Sequence, residues 1–303
     1  MTSATPRPER PSEVQRAYAE RTVRTLSRRR IVNTVMIGLT FVAAFMATLP
    51  LLFILGYLIR EGASALSLDF FTQLPVPAGD EGGGMGHAIV GTLVLIGIAS
   101  AIGLPIGIGA GLYLAEKRAT TLATSVRFLS DVLNGLPSIV MGIFAWQVLV
   151  RPMGFSALAG GFALGAMMIP LVTRTTEEMV RVVPVSLREA ALALGYARWR
   201  TSLTIVLRTA MAGIVTGVLV AIARIAGETA PLLFTALGSS YWPVSVREPI
   251  ASLPHQIYIY ATGPYDEWRR HAFAGALVLI TIILIISLIA RWVTRGRFVG
   301  GGD

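Results

Sequence analysis

Six times along its 303 residues the chain runs for close to twenty residues or more with scarcely a charge. That is the length a helix needs to cross the hydrocarbon core of a bilayer. The runs fall at 31–59, 88–115, 132–150, 155–172, 210–226 and 272–290. In lipid every backbone N–H and C=O must find its partner within the protein, so runs of this kind are read as helices. With 54% apolar and only 14% charged residues, the chain lacks the charge to solvate the surface of a soluble domain. The expected fold is all-α and integral to the membrane, with about six transmembrane helices. The third and fourth runs are joined only by Arg151-Pro152-Met153-Gly154 and are expected to be antiparallel neighbours.

The cations choose an orientation. With the N-terminus inside, 20 of the 26 Lys and Arg residues lie in cytoplasmic segments: the tail, 116–127, 174–208 and the residues after 290. Five lie outside, and Arg224 lies within the fifth run. So strong a bias predicts both termini in the cytoplasm. The formal charge of +9 is thus placed against a membrane surface rather than nucleic acid. About thirty polar, Arg-rich residues precede a first run that is too long for a signal-peptide core, so that run is read as a retained span. The expected organisation is an Arg-rich cytoplasmic tail (1–30), a first span with its external loop (31–85), a transmembrane domain of the remaining spans (86–292) and a cytoplasmic tail (293–303).

No cysteine is present, which removes disulfides and thiolate metal sites. His87, His255 and His271 lack metal-ligand spacing and are expected at interfaces or in loops. No cofactor is called for. In the second run, Gly103, Gly107 and Gly111 repeat every four residues, a spacing that lets helices approach closely. Pro105 and Pro137 are expected to kink their helices. The external segment 228–270 contains an apolar stretch, Pro231 to Gly238, too short to span and so expected to be re-entrant or interfacial. Tyr241, Trp242, Tyr258, Tyr260 and Trp268 are expected in the outer aromatic belt.

The loop after the fourth run reads Pro184-Val-Ser186-Leu-Arg-Glu189-Ala190-Ala191-Leu-Ala-Leu-Gly195. Ser186 and Glu189 have capping-box spacing, 187–194 favours helix, and Gly195 is placed to end it. A second helix is expected from Tyr196 or Ala197 into the fifth span. The exposed tip, Ala190, Ala191 and Ala193 beside Glu189, fits either a helix lying on headgroups or a docking knob for a cytoplasmic partner. No Walker A lysine exists: the one lysine, Lys117, has no glycine-rich context, and the glycines at 82–86 carry none. Any ATPase must be another polypeptide.

Arg224 costs about 2.5–3.5 kcal/mol to insert if central, so it should face a cavity or a partner. Glu228 follows at i+4. The two are either a local ion pair or an anion contact held by its carboxylate, since a guanidinium fork suits an oxyanion. Arg174, at the inner end of the fourth span, is either a positive-inside anchor or a second contact.

Two sets of residues carry a resemblance. Glu189-Ala190-Ala191, then Gly195, Ile205 and Leu207, resembles the EAA loop of bacterial ABC importer permeases, although Arg208 stands where that family usually has Pro. Ala223-Arg224-Ile-Ala-Gly-Glu228-Thr229-Ala-Pro-Leu-Leu-Phe-Thr-Ala236 is similar to the signature of PstA-type permeases of the Pst phosphate importer. So are Asn134-Gly-Leu-Pro-Ser-Ile-Val-Met-Gly-Ile143, Met168-Ile-Pro-Leu-Val-Thr-Arg174, Gly111-Leu-Tyr-Leu-Ala-Glu116 and Ala251-Ser-Leu-Pro-His-Gln-Ile-Tyr258. The resemblance implies a type I ABC importer permease of the bacterial inner membrane, without enzymatic activity of its own. It implies phosphate passage past Arg224, Arg174 and Glu228, and a coupling helix carrying Glu189, Ala190, Ala191 and Gly195. The implied partners are a PstC-type second permease, two copies of an ATP-binding subunit, and an extracytoplasmic phosphate-binding protein. Sulfate or molybdate import and ATP-independent transport are the alternatives.

Overall fold

The computed structural model describes residues 13–298 other than 78, 79, 81 and 118, with side chains over 29–292. The ends of both expected tails, 1–12 and 299–303, lie outside the described residues. The chain forms two units, 1–57 and 58–303. Among the described residues the first unit is the part of helix α1 (Glu13–Gly62) up to residue 57, the last turn of α1 belonging to the second unit. This part runs on through Pro50 and has no core of its own. Its apolar residues, among them Phe41, Phe45 and Phe53, are exposed, as suits a helix solvated by lipid.

Among the described residues the second unit contains, after a 3-10 turn at Ala63–Ala65 and a short helix at Leu68–Thr72, nine further helices. They are α2 (Gly86–Glu116), α3 (Thr121–Gly135), α4 (Ser138–Met153), α5 (Ala157–Val182), α6 (Val185–Ala193), α7 (Arg198–Ala226), α8 (Ala230–Thr235), α9 (Leu253–Thr262) and α10 (Asp266–Phe298). Among the described residues five helices are long and apolar enough to cross a membrane, or six if α3 and α4 together count as one broken span. Among the described residues no strand forms, only a bridge between Leu237 and Ile250.

The third run, 132–150, is not a single helix. Leu136 is extended, as a residue before proline prefers, and Pro137 opens α4 at 105° to α3. Pro105, by contrast, lies inside an unbroken α2. The fourth passage outruns its expected end by ten residues, so Arg174 lies inside α5 rather than at the edge of a loop.

The core forms where α2 meets α5. Gly103, Gly107 and Gly111 lie against Met168, Val172 and Thr173, and the glycine stripe is what permits the contact. A Cβ on Gly107 would sit 2.7 Å from the Val172 Cβ. Gly107→Val is therefore expected to destabilise the chain by about 1–3 kcal/mol, measured as a lower unfolding temperature in detergent. An unchanged temperature would mean that the two helices can separate freely.

The stretch from Pro231 folds back into this unit, although Leu233 and Leu237 stay exposed. Pro231, Leu232 and Thr235 of α8 are buried, with Pro231 against Gly142 of α4 and Leu232 against Gly160 of α5. Leu237 (φ 61°) and Gly238 (φ 86°) then reverse the chain. The returning backbone satisfies the start of α5. Ser156 N–H donates to Thr235 O, Ala157 N–H to Glu248 O, and Leu158 N–H to Val246 O, each at 3.0 Å. These are the donors a helix leaves unpaired at its N-terminus, and in a membrane water cannot serve them.

Two further expectations are corrected by packing. Tyr260 stacks on Trp268 with ring centroids 4.9 Å apart, so this pair belongs to the core, while Tyr241, Trp242 and Tyr258 stay exposed. All three histidines lie buried in helices rather than in loops. Burial pushes the His255 imidazole, in α9, below its ordinary range.

Candidate functional site

The loop after α5 folds as a short helix and a sharp turn. Pro184, not Ser186, precedes the first turn of α6, and Ser186 lies within it, so the expected capping box does not form. The other end follows expectation. Gly195, at φ 84°, donates to Leu192 O at 3.0 Å, and Tyr196 N–H donates to Ala191 O at 3.1 Å. This paired closure satisfies the last carbonyls of α6 and turns the chain into α7. Ala191 is buried at 3% exposure, so it anchors α6 from beneath rather than standing at the tip. Glu189, Ala190 and Ala193 remain exposed, with Val185, Leu187, Leu192 and Leu194 around them. A helix this apolar and this exposed is incomplete without a cover.

From Arg198 the chain runs unbroken to Ala226, through a π-helical turn at Ser202–Val206. Ile214, Gly217, Ala221 and Ile225 face the core, and Thr216, Val220 and Arg224 lie on an exposed face. Arg224 occupies the last turn, where a cation is favoured by the carbonyl ends of the helix. Its expected partner is displaced. Gly227 N–H closes onto Arg224 O at 3.3 Å and ends the helix, leaving half-buried Glu228 in the turn beyond it. The i+4 relation to Glu228 is therefore not realised as a shared helix face. Among the described residues the Arg224 guanidinium has no ion pair.

Arg174 is differently placed. It donates to Asp131 of α3 at 3.2 Å and to Glu178 at 3.3 Å. Beside it, Arg127 of α3 donates to Glu177 at 2.8 Å and to Leu114 O at 2.9 Å, and Arg181 also pairs with Glu177. Three guanidiniums and three carboxylates thus join α3 to α5 around a cavity of about 400 Å³, also lined by Ser130 and Thr173. The sequence reading singled out only Arg174 from this group. The missed signal was the i, i+4 spacing of Arg127 and Asp131, which puts both on one face of α3.

A broken membrane passage, an exposed cytoplasmic-loop helix and an arginine in an apolar span define a membrane component of a transport system. Residues 103–299 match the family described as binding-protein-dependent transport system inner membrane component. The phosphate transport system permease protein PstA of Haemophilus influenzae is 44% identical over 265 residues, covering 87% of this chain and 94% of that one. PstA of Xylella fastidiosa is 44% identical over 267 residues, covering 87% and 93%. The chain belongs to this inner membrane family and, within it, to the PstA-type permeases. Its fold is also that of a chain from a bacterial alginate ABC transporter, solved in complex with an alginate pentasaccharide-bound periplasmic protein. That chain is 16% identical, with a TM-score of 0.59, and the match covers 95% of this chain and all of that one.

Proposed function

We propose that this chain is one half of the translocation pore of an ATP-driven phosphate importer, and that phosphate passes Arg224. The observation that carries the reading is the unpaired guanidinium on an exposed face of an apolar helix, in a chain 44% identical to PstA proteins. The other half of the pore is a PstC-type permease. Two copies of a cytoplasmic ATP-binding subunit supply the energy, one of them docking on α6, and an extracytoplasmic phosphate-binding protein delivers the anion. Glu228 sits beside the path rather than paired to Arg224. Arg174 lies at the inner mouth, where its carboxylate partners allow it to tie helices together or to release them around a passing anion.

Electrostatics gives the reason for an energy source. Moving an unaccompanied dianion inward against 100 mV costs about 4.6 kcal/mol, and concentrating it from a dilute exterior adds to that. The test is uptake of labelled phosphate by the purified complex in proteoliposomes, with ATP enclosed and sulfate as competitor. ATP-dependent phosphate uptake that excess sulfate leaves unchanged is expected. Sulfate outcompeting phosphate would move the reading to another oxyanion, and uptake by this chain alone without ATP would replace it with secondary transport.

A further inference from the structure

The last residue of α2, Glu116, gathers the loop helix and the start of α7 onto one oxygen. Arg188 of α6 donates to Glu116 Oε1 at 3.0 Å, and the Ser202 hydroxyl lies 2.8 Å from the same Oε1 and 3.0 Å from Arg198 O, its one proton shared between the two acceptors. Arg188 reaches further, donating to Val180 O near the end of α5 at 3.0 Å. The contacts are sheltered: the side chains of Arg188 and Glu116 are 19% and 31% exposed, and Ser202 is nearly buried. Ser202 opens the π-helical turn of α7, a local irregularity of the kind found at functional places.

Besides this knot, α6 joins the spans through the short connections to α5 and α7 and through packing on the π-helical turn of α7, with Ala191 as its buried footing. With it, three membrane helices, α2, α5 and α7, are bonded to the loop helix directly or through one carboxylate. A partly sheltered ion pair reinforced by further hydrogen bonds on both sides is screened less by solvent than a surface pair.

We infer that Glu116 is a positioning residue for energy coupling: it locks α6 to the second span, so that displacement of α6 by an ATPase moves α2, α5 and α7 as one body. The inference rests on the reading of α6 as the ATPase-docking helix. Loss of the lock leaves α6 free to move without the spans, so ATP is hydrolysed while little phosphate crosses.

The test measures ATP hydrolysed per phosphate delivered by the reconstituted complex. The variants are Glu116→Gln, which keeps size and an acceptor for Ser202, Arg188→Met, which keeps the stem, and the reversed pair Glu116→Arg with Arg188→Glu. Each single variant is expected to raise the ratio roughly tenfold or more with the complex recovered at normal yield, and the reversed pair to regain part of the loss. An unchanged ratio in both single variants overturns the inference, and so does failure of all three to assemble, which would assign Glu116 to folding alone. Failure of the docking reading looks different: the ATPase subunit would then copurify equally well with a chain whose exposed α6 face is altered and whose Glu116 is intact.

Discussion

Replacing Arg224 with Gln is expected to lower phosphate uptake by roughly 10- to 150-fold while the complex is recovered at its usual yield. The range follows from losing a charge-assisted pair of hydrogen bonds to an oxyanion, about 1.5–3 kcal/mol in the step that uses it. Yield should hold because the guanidinium has no ion pair among the described residues, so its removal strands no carboxylate. What the fold loses is a cation in the last turn of α7, a term of about 0.3–1 kcal/mol. Arg224→Lys separates charge from geometry, since it keeps the positive field but gives up the planar fork. Intermediate uptake in the Lys variant would indicate that both matter. Uptake undiminished in Arg224→Gln would reduce the residue to helix-end electrostatics and remove the central support for the proposed path. The measurement is initial-rate phosphate uptake at saturating ATP, normalised to the amount of assembled complex.

Arg224 also marks where sequence reading stops working. Its place in a span was legible because a charge interrupts an apolar run, and insertion cost makes such a charge conspicuous. Its relation to Glu228 was not, because the i+4 rule presumes that the helix continues, and closure of Gly227 onto Arg224 O ends it two residues early. The same holds at Ser186, where capping-box spacing was present but Pro184 had already started the helix one residue before it. Periodicity located the glycine stripe of α2 because its neighbour need only be another helix, and α5 supplies it. The charged knots at the inner face were illegible for a different reason. Glu116 and Arg188 are 72 residues apart, and Arg174 and Asp131 are 43, so nothing local announces either pair. The buried aromatic pair Tyr260 and Trp268 went astray because both residue types favour membrane interfaces on average, whereas their contact depends on how α9 returns against α10.

Reversing the charge of Glu189 is expected to have the second large effect, and it bears on the power source rather than the path. Glu189 is exposed on α6 among Val185, Leu187, Leu192 and Leu194, and among the described residues it makes no ion pair. The helix itself is held elsewhere, by buried Ala191, by Arg188 on Glu116 and by the glycine closure at Gly195. Glu189→Arg should therefore leave the chain folded and inserted, while placing a cation where, on the proposed docking, the ATPase subunit meets an anion. Mismatched charges at the centre of an interface cost several kcal/mol, so association with the ATPase subunit should weaken at least tenfold and uptake should fall with it. Glu189→Gln, which removes the anion without opposing it, should weaken association less. The check is the amount of ATP-binding subunit retained on the affinity-purified membrane complex, with the second permease as an internal standard. Retention of the ATPase at normal stoichiometry in Glu189→Arg would place the docking surface elsewhere. The exposed apolar residues of α6 would then be explained by contact with lipid headgroups, the other fate open to a short amphipathic helix at this depth.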